Sequence, residues 1–197
     1  LLTLLGVPKD QIEFPLIVPE ELRSSVREII TRLGYHRDRK LVLFNVGAAW
    51  ETKRWSPEKW VAVLKDLKNE SIFPMLLWGT NPEKELALAV SGQTGVPLVP
   101  FLTIREILAL IKEAGLVVSG DTFALQAACA FNVPVVGIFG PTNPARNGPF
   151  RDRDKVAYHK LACSLCYQRT CRSMECLKKI TPEEVSFLIR QSLRDHA

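Results

Sequence analysis

VVSGDTFALQAACAFNVPVVGIFGPTNP, residues 117–144, is the stretch whose reading decides the fold. It divides into an apolar strand closing at Val118, the polar pair Asp121-Thr122, a small-residue helix over 123–130, an apolar strand over 134–139, and the loop Gly140-Pro141-Thr142-Asn143-Pro144. Both apolar runs are rich in β-branched residues and neither alternates, as expected of parallel strands covered by helices on both faces. A strand–helix–strand unit of this kind puts Asp121, Thr122 and the Gly140 loop at the carboxyl ends of the strands, where open α/β sheets bind ligands. Asp121 or Thr122 can cap the helix, and its free amides and positive dipole end attract an anion or a sugar hydroxyl. A purely structural cap is the alternative use of Asp121, and these residues leave both open.

A second segment of the same type lies upstream. The apolar run 41–46 reads as a buried strand, and GAAWETKRW, residues 47–55, follows it directly. Small residues such as Ala48 and Ala49 let a backbone approach a ligand, while Lys53 and Arg54 are donors suited to phosphate. Ser56 then reads as a helix cap with Pro57 at the first helical position. Outward from these landmarks, helices are expected over 20–33, 57–69, 82–90 and 104–112, and strands over 74–78, around Leu98 and over 116–118. An irregular cysteine-bearing stretch follows, and then a terminal helix from Thr181. Alternating strands and helices predict an α/β fold with a doubly wound parallel sheet and right-handed crossovers.

The 197 residues, 47% hydrophobic and 24% charged, suffice for a sizeable core and show no disorder signature. No internal repeat, low-complexity tract or bilayer-length apolar run is present. A formal charge of +5 suits a protein that meets phosphorylated acceptors or an anionic membrane face. The basic residues are scattered rather than striped and carry no nucleic-acid motif, so no nucleic-acid partner is expected. The chain opens Leu1-Leu2-Thr3-Leu4-Leu5 without Met or a secretory signal, which reads as cut from something longer. Pro15 to Pro19 then reads as an extended linker.

Cys163, Cys166, Cys171 and Cys176 have C-x2-C-x4-C-x4-C spacing, while Cys129 sits in an apolar helix and reads as core. Four clustered thiols can hold zinc or an iron–sulfur cluster, form two disulfides or stay free. Only the first spacing is typical of zinc, and no metal site is assigned. His159 could add a ligand, although a lone histidine in a polar stretch is more often solvated.

Taken together, GAAW-x-TKRW, Trp78-Gly79 followed by Glu83, Ser119-Gly120-Asp121-Thr122 and FGPTNP (139–144) resemble glycosyltransferase family 9, the heptosyltransferases that build the lipopolysaccharide core from ADP-heptose. The resemblance extends over nearly the whole chain, and similar cysteine-containing tails occur in that family. It implies a two-Rossmann GT-B enzyme of which this chain is the C-terminal, donor-binding half. Residues 1–36 would be linker and amphipathic helix, and residues 37–197 the nucleotide-sugar-binding Rossmann-like domain, with a cysteine loop (159–177) and C-terminal helix (181–195).

By position, the resemblance makes Lys53 the cation on the donor diphosphate and the catalytic residue of this half. It makes Glu83 the acidic residue near the ribose, and Asp121 with Thr122 the pair facing the donor. Glu83 also suits a helix start, where the dipole favours it, so a structural role stays open. Two departures stand out: Phe123 replaces the usual Gly, and Gln126 the usual His, which removes an efficient proton carrier. Ala48, Ala49, Lys53, Glu83, Asp121, Thr122, Phe123 and Gln126 are therefore the expected substrate-binding set.

The implied activity is inverting transfer of heptose or a related sugar from an ADP-sugar donor to a lipopolysaccharide-type acceptor, with no cofactor. The acceptor and the catalytic base would belong to a missing N-terminal domain, leaving this half inactive alone. A cytoplasmic location with peripheral contact at the inner face of the inner membrane goes with that reading. A nucleotide-binding module without transferase activity is the alternative, favoured by Phe123 and Gln126.

Overall fold

The computed structural model describes residues 14–195; the opening Leu1 to Leu5 and the start of the 1–36 segment lie outside the described residues. Five strands, β1 (Lys40–Asn45), β2 (Ile72–Leu77), β3 (Leu116–Gly120), β4 (Val135–Phe139) and β5 (Lys155–Tyr158), form one sheet in the order β2-β1-β3-β4-β5. Every neighbouring pair is parallel, with Phe44 opposite Leu76 and Val118, and Val118 opposite Val136. Eight helices surround it among the described residues: α1 (Glu20–Arg32), α2 (Pro57–Asp66), α3 (Asn81–Thr94), α4 (Ile104–Glu113), α5 (Phe123–Ala130), α6 (Pro144–Asn147), α7 (Glu175–Lys179) and α8 (Pro182–Asp195). Helices α1, α4 and α5 pack together, as do α2, α3 and α8. This is the expected α/β fold, a Rossmann-like doubly wound parallel sheet.

Burial explains the non-alternating strands. Val42, Leu43, Phe44, Val117, Val118, Val135 and Val136 are fully buried because both faces of the sheet are covered. Each such side chain stabilises the fold by roughly 1.5–3 kcal/mol relative to leaving it in water. Trp60 fixes α2 against the sheet, edge-on to Phe44 and to Trp55 at centroid distances of 6.2 and 5.1 Å.

Helix α1 buries Val26 and Ile30 and turns Arg23 and Arg27 toward α4. Both guanidinium groups converge on one carboxylate: Arg23 Nε donates to Glu113 Oε1 at 2.7 Å, and Arg27 Nε to Oε2 at 2.9 Å. Burial pushes Glu113 up, but the hydrogen bonds from Arg27 and Arg23 outweigh it and hold the carboxyl below its ordinary value.

Several boundaries differ from the sequence reading, each for a local reason. The strand expected around Leu98 is a single bridge to Leu76, because Pro97 and Pro100 flank it and neither offers an N–H. Strand β2 starts at Ile72 and carries Pro74 inside, which an edge position tolerates. Helix α2 stops at Asp66, and Leu67–Asn69 tightens to a 3-10 turn. Helix α3 runs through Gly92 to Thr94 and ends at Gly95, whose φ of 72° is left-handed. Strand β3 runs on to Gly120. Ser56 holds the N-cap position of α2 but its hydroxyl makes no capping bond.

Candidate functional site

The connection from β1 leads to β2 on one side, whereas β3 leads to β4 on the other, so a crevice opens where β1 and β3 lie side by side. That reversal is the topological switch point at which open α/β sheets bind ligands. A cleft of about 270 Å³ occupies it, lined by Asn45, Ala48, Ala49, Trp50, Lys53, Trp78, Glu83, Ile107, Asp121, Thr122 and Phe123 among others. A larger groove of about 480 Å³, bordered by Lys40, Ile72 and Arg190, sits at the opposite, amino-terminal end of β1 and β2. Arg190 is engaged there with Asp66 and Glu70.

The end of β1 is tied to the end of β3 by one amide. Asn45 Nδ2 donates to Gly47 O, Ser119 Oγ and Thr122 Oγ1 at 3.2, 3.1 and 3.0 Å, and the last two hydroxyls lie 2.8 Å apart. Thr122 is the N-cap residue of α5 by position, yet its hydroxyl is occupied by this network and caps nothing. The first amides of α5 therefore keep their donors free of a side-chain cap.

After Gly47 the chain turns through Ala48 and Ala49 into a 3-10 turn, Glu51–Lys53. Lys53 Nζ lies 2.8 Å from Asp121 Oδ2, and both side chains are largely buried. The same ammonium sits 4.3 Å from the centroid of the Trp50 ring, and the Arg169 guanidinium lies 5.0 Å from that centroid. Arg54 turns away: its Nε donates to Ala48 O at 2.7 Å.

Glu83 serves the start of α3. Its Oε2 accepts the N–H groups of Gly79 and Thr80 at 3.0 and 2.9 Å, closing a capping box with Thr80. Its stem fills the space over Gly47, where any Cβ would lie 2.5 Å from Glu83 Cγ. Glycine is required at 47 by close approach.

The cleft thus gathers Ala48, Ala49, Lys53, Glu83, Asp121, Thr122 and a half-exposed Phe123. Gln126 stands apart from the lining residues: it is exposed, and its Nε2 donates to Asn147 O at 2.6 Å. Asn147 in turn donates to Asp121 Oδ2 at 3.4 Å and accepts the Tyr167 hydroxyl at 3.3 Å. Sequence reasoning missed Asn45, Ile107 and Asn147, and left Trp50 and Trp78 out of the binding set although both stand in the quoted motifs. A polar Asn closing an otherwise apolar run was a usable signal for Asn45; the others come from packing.

The cysteine stretch folds back over this end of the sheet. Thr52 donates to Gln168 O at 2.6 Å, and Tyr167 donates its backbone N–H to Pro141 O at 3.2 Å. Cys163, Cys166 and Cys171 are exposed, and all five cysteines, Cys129 and Cys176 included, are free thiols. Among the described residues no three Cys, His, Asp or Glu side chains are grouped to hold a metal ion. His159 lies 2.8 Å from Glu184. Burial pushes the Cys129 thiol up to about 12, while the hydrogen bond with the Ser173 hydroxyl lowers that of Cys171.

Residues 2–177 match the family model of Glycosyltransferase family 9 (heptosyltransferase). The chain belongs to that family. Among family 9 relatives, lipopolysaccharide heptosyltransferase 1 of Pseudomonas aeruginosa is 27% identical over 131 residues, which cover 66% of this chain and 37% of that protein. The solved family 9 glycosyl transferase of Veillonella parvula superposes with a TM-score of 0.80 at 22% identity, covering 98% of this chain and 58% of that one. E. coli heptosyltransferase WaaC, solved with ADP, gives a TM-score of 0.69 at 20% identity, covering 94% of this chain and 51% of that one. The chain therefore spans little more than half the length of these solved relatives. Among the described residues no helix is long and apolar enough to cross a membrane.

Proposed function

We propose that residues 37–197 form the donor-binding unit of an inverting glycosyltransferase that moves heptose or a related sugar from an ADP-sugar to a lipopolysaccharide-type acceptor. The observation that carries this reading is the convergence of Lys53 and Asp121, 2.8 Å apart, at the β1/β3 crevice of a family 9 chain. Its fold is shared with a relative solved with ADP, which supports a nucleotide as the ligand.

The chemistry follows from the residues. An acceptor oxygen attacks the anomeric carbon, the bond from that carbon to the phosphate oxygen breaks, and the diphosphate leaves with the electron pair. Negative charge grows on the departing oxygen, and Lys53 stabilises it electrostatically. Glu83 uses Oε2 on Gly79 and Thr80, so its other oxygen is the one offered to ribose hydroxyls. Asp121 and the first amides of α5 face the sugar-phosphate end. The proton of the acceptor hydroxyl passes to a base outside this chain, supplied by the acceptor-binding half. Contact with an anionic membrane face would come through that half and the net charge of +5.

One observation favours a nucleotide-binding module without transfer activity: Phe123, 51% exposed, puts a bulky ring on the cleft beside Asp121. Calorimetric titration with ADP and with ADP-heptose separates the readings. Donor binding is expected to be tighter for the sugar nucleotide and lost for both ligands in Lys53→Ala. Equal affinity for both would favour the binding module, and no heat with either would end the proposal.

A further inference from the structure

The diphosphate of a nucleotide-sugar carries two negative charges, and Lys53 meets it already paired with Asp121. A pair of net charge zero orients a diphosphate but does not neutralise it, so a second cation would complete what the free amides of α5 begin. Arg54 is engaged with Ala48 O. Arg169 is not so engaged. Its guanidinium rests on the ring of Trp50, the residue that also carries Lys53 Nζ and lines the cleft, and among the described residues it has no carboxylate partner within 4.0 Å. Arg23, Arg27, Arg32 and Arg190, by contrast, are all paired with carboxylates.

We infer that Arg169, on the cysteine-bearing loop, is the second cation for the donor's diphosphate, exchanging the face of Trp50 for the phosphate oxygens when the nucleotide binds. This rests on the donor-site reading above and extends it to a segment 116 residues beyond Lys53. An exposed cation–π contact is weak, whereas a guanidinium fork on phosphate is charge-assisted and bidentate, so the exchange runs toward the ligand.

The backbone that delivers Arg169 is pinned on the site's own segments. Gln168 O accepts the hydroxyl of buried Thr52, the neighbour of Lys53. Tyr167 is fastened three times: its N–H donates to Pro141 O, its hydroxyl donates to Asn147 Oδ1, and that hydroxyl accepts the Asn143 N–H. Its φ of 52° is left-handed, a conformation that a non-glycine residue holds only when its surroundings impose it. The approach is also close. A Cβ on Gly140 would lie 3.1 Å from Thr52 O and 2.9 Å from Leu177. The chain is thus held up to Gln168, and the Arg169 side chain that follows is exposed.

Calorimetry with ADP and NMR titration with adenosine, on wild type and on Arg169→Ala and Arg169→Lys, test this. The expected result is an ADP affinity lowered about tenfold in Arg169→Ala, an adenosine affinity changed less than about twofold, and partial recovery in Arg169→Lys. The ADP affinity of Arg169→Ala should also fall less steeply with added salt than that of wild type. Unchanged ADP binding in Arg169→Ala overturns the inference alone, as does an equal loss for ADP and adenosine, which would mean that the side chain merely props the loop. A wild-type chain that binds no ADP overturns the donor-site reading and this inference together.

Discussion

Gly47→Ala is the sharpest probe of how the cleft is built. The added Cβ would stand 2.5 Å from Glu83 Cγ and 2.8 Å from its Cβ and Cδ. Packed carbons prefer about 3.5–4.0 Å, so the first turn of α3 or the loop after β1 must retreat by roughly 1 Å. Overpacking of that kind costs about 1–3 kcal/mol. As Glu83 Oε2 leaves the amides of Gly79 and Thr80, the lost cap adds about 1 kcal/mol more. The sum, about 2–4 kcal/mol, corresponds to a fall in Tm of about 5–15 °C for a chain of this size. Glu83→Ala loses the cap but leaves room, and is expected to melt only about 2–4 °C low. The Gly47→Ala/Glu83→Ala double variant should then lose less than the two single losses summed, since removing Cγ and Cδ lifts two of the three contacts while the Cβ at 83 still stands 2.8 Å from the added one. Thermal unfolding followed by circular dichroism reads all four proteins. A Gly47→Ala variant within 2 °C of wild type, or two losses that simply add, would refute the steric account.

Lys53→Ala leaves Asp121, 8% exposed, without its cation; a stability loss of about 2–4 kcal/mol is expected in urea titrations, relieved in Lys53→Ala/Asp121→Asn without return of ADP binding. Iodoacetamide at pH 8, followed by mass spectrometry, should label Cys171 ahead of Cys176, whose thiol burial raises, and reach Cys129 only after unfolding. Glu113 has a folded pKa below its ordinary value, so its stabilising effect is complete above about pH 4.3 and is lost as pH falls through the folded value. Amide protection factors in α1, corrected for intrinsic exchange, should therefore fall below about pH 4 in wild type, and Glu113→Gln should abolish that fall.

How far the sequence reached depended on whether an element carried its own signal. Helix α5, 123–130, was legible to the residue because Asp121-Thr122 starts it and Asn132 and Pro134 forbid its continuation. Strand β5 was not: Lys155–Tyr158 is four residues long with charge at one end, and it becomes a strand only because β4 offers an edge. Lys53 and Asp121 could each be placed at a strand end from pattern alone. Their 2.8 Å contact depends on β1 and β3 being adjacent, which is a property of strand order rather than of either segment. Tyr167, Gln168 and Arg169 lie in a stretch with no periodicity, and their approach to Thr52 and Trp50 is set by long-range hydrogen bonding that no local pattern encodes.

The carboxylate of Glu113, gripped by two arginines of α1, governs how motion can pass through the molecule. Because α1 is bolted to α4, and Ile107 of α4 forms part of the cleft wall, the clamp couples α1 to that wall. Among the described residues only 14–19 lie ahead of the clamped helix; prolines at 15 and 19 restrict their backbone torsions, and Phe14 rests on the Phe150 ring at 5.8 Å. Whatever displaces α1 must therefore pull on α4 and its side of the cleft, with the arginine clamp as the link.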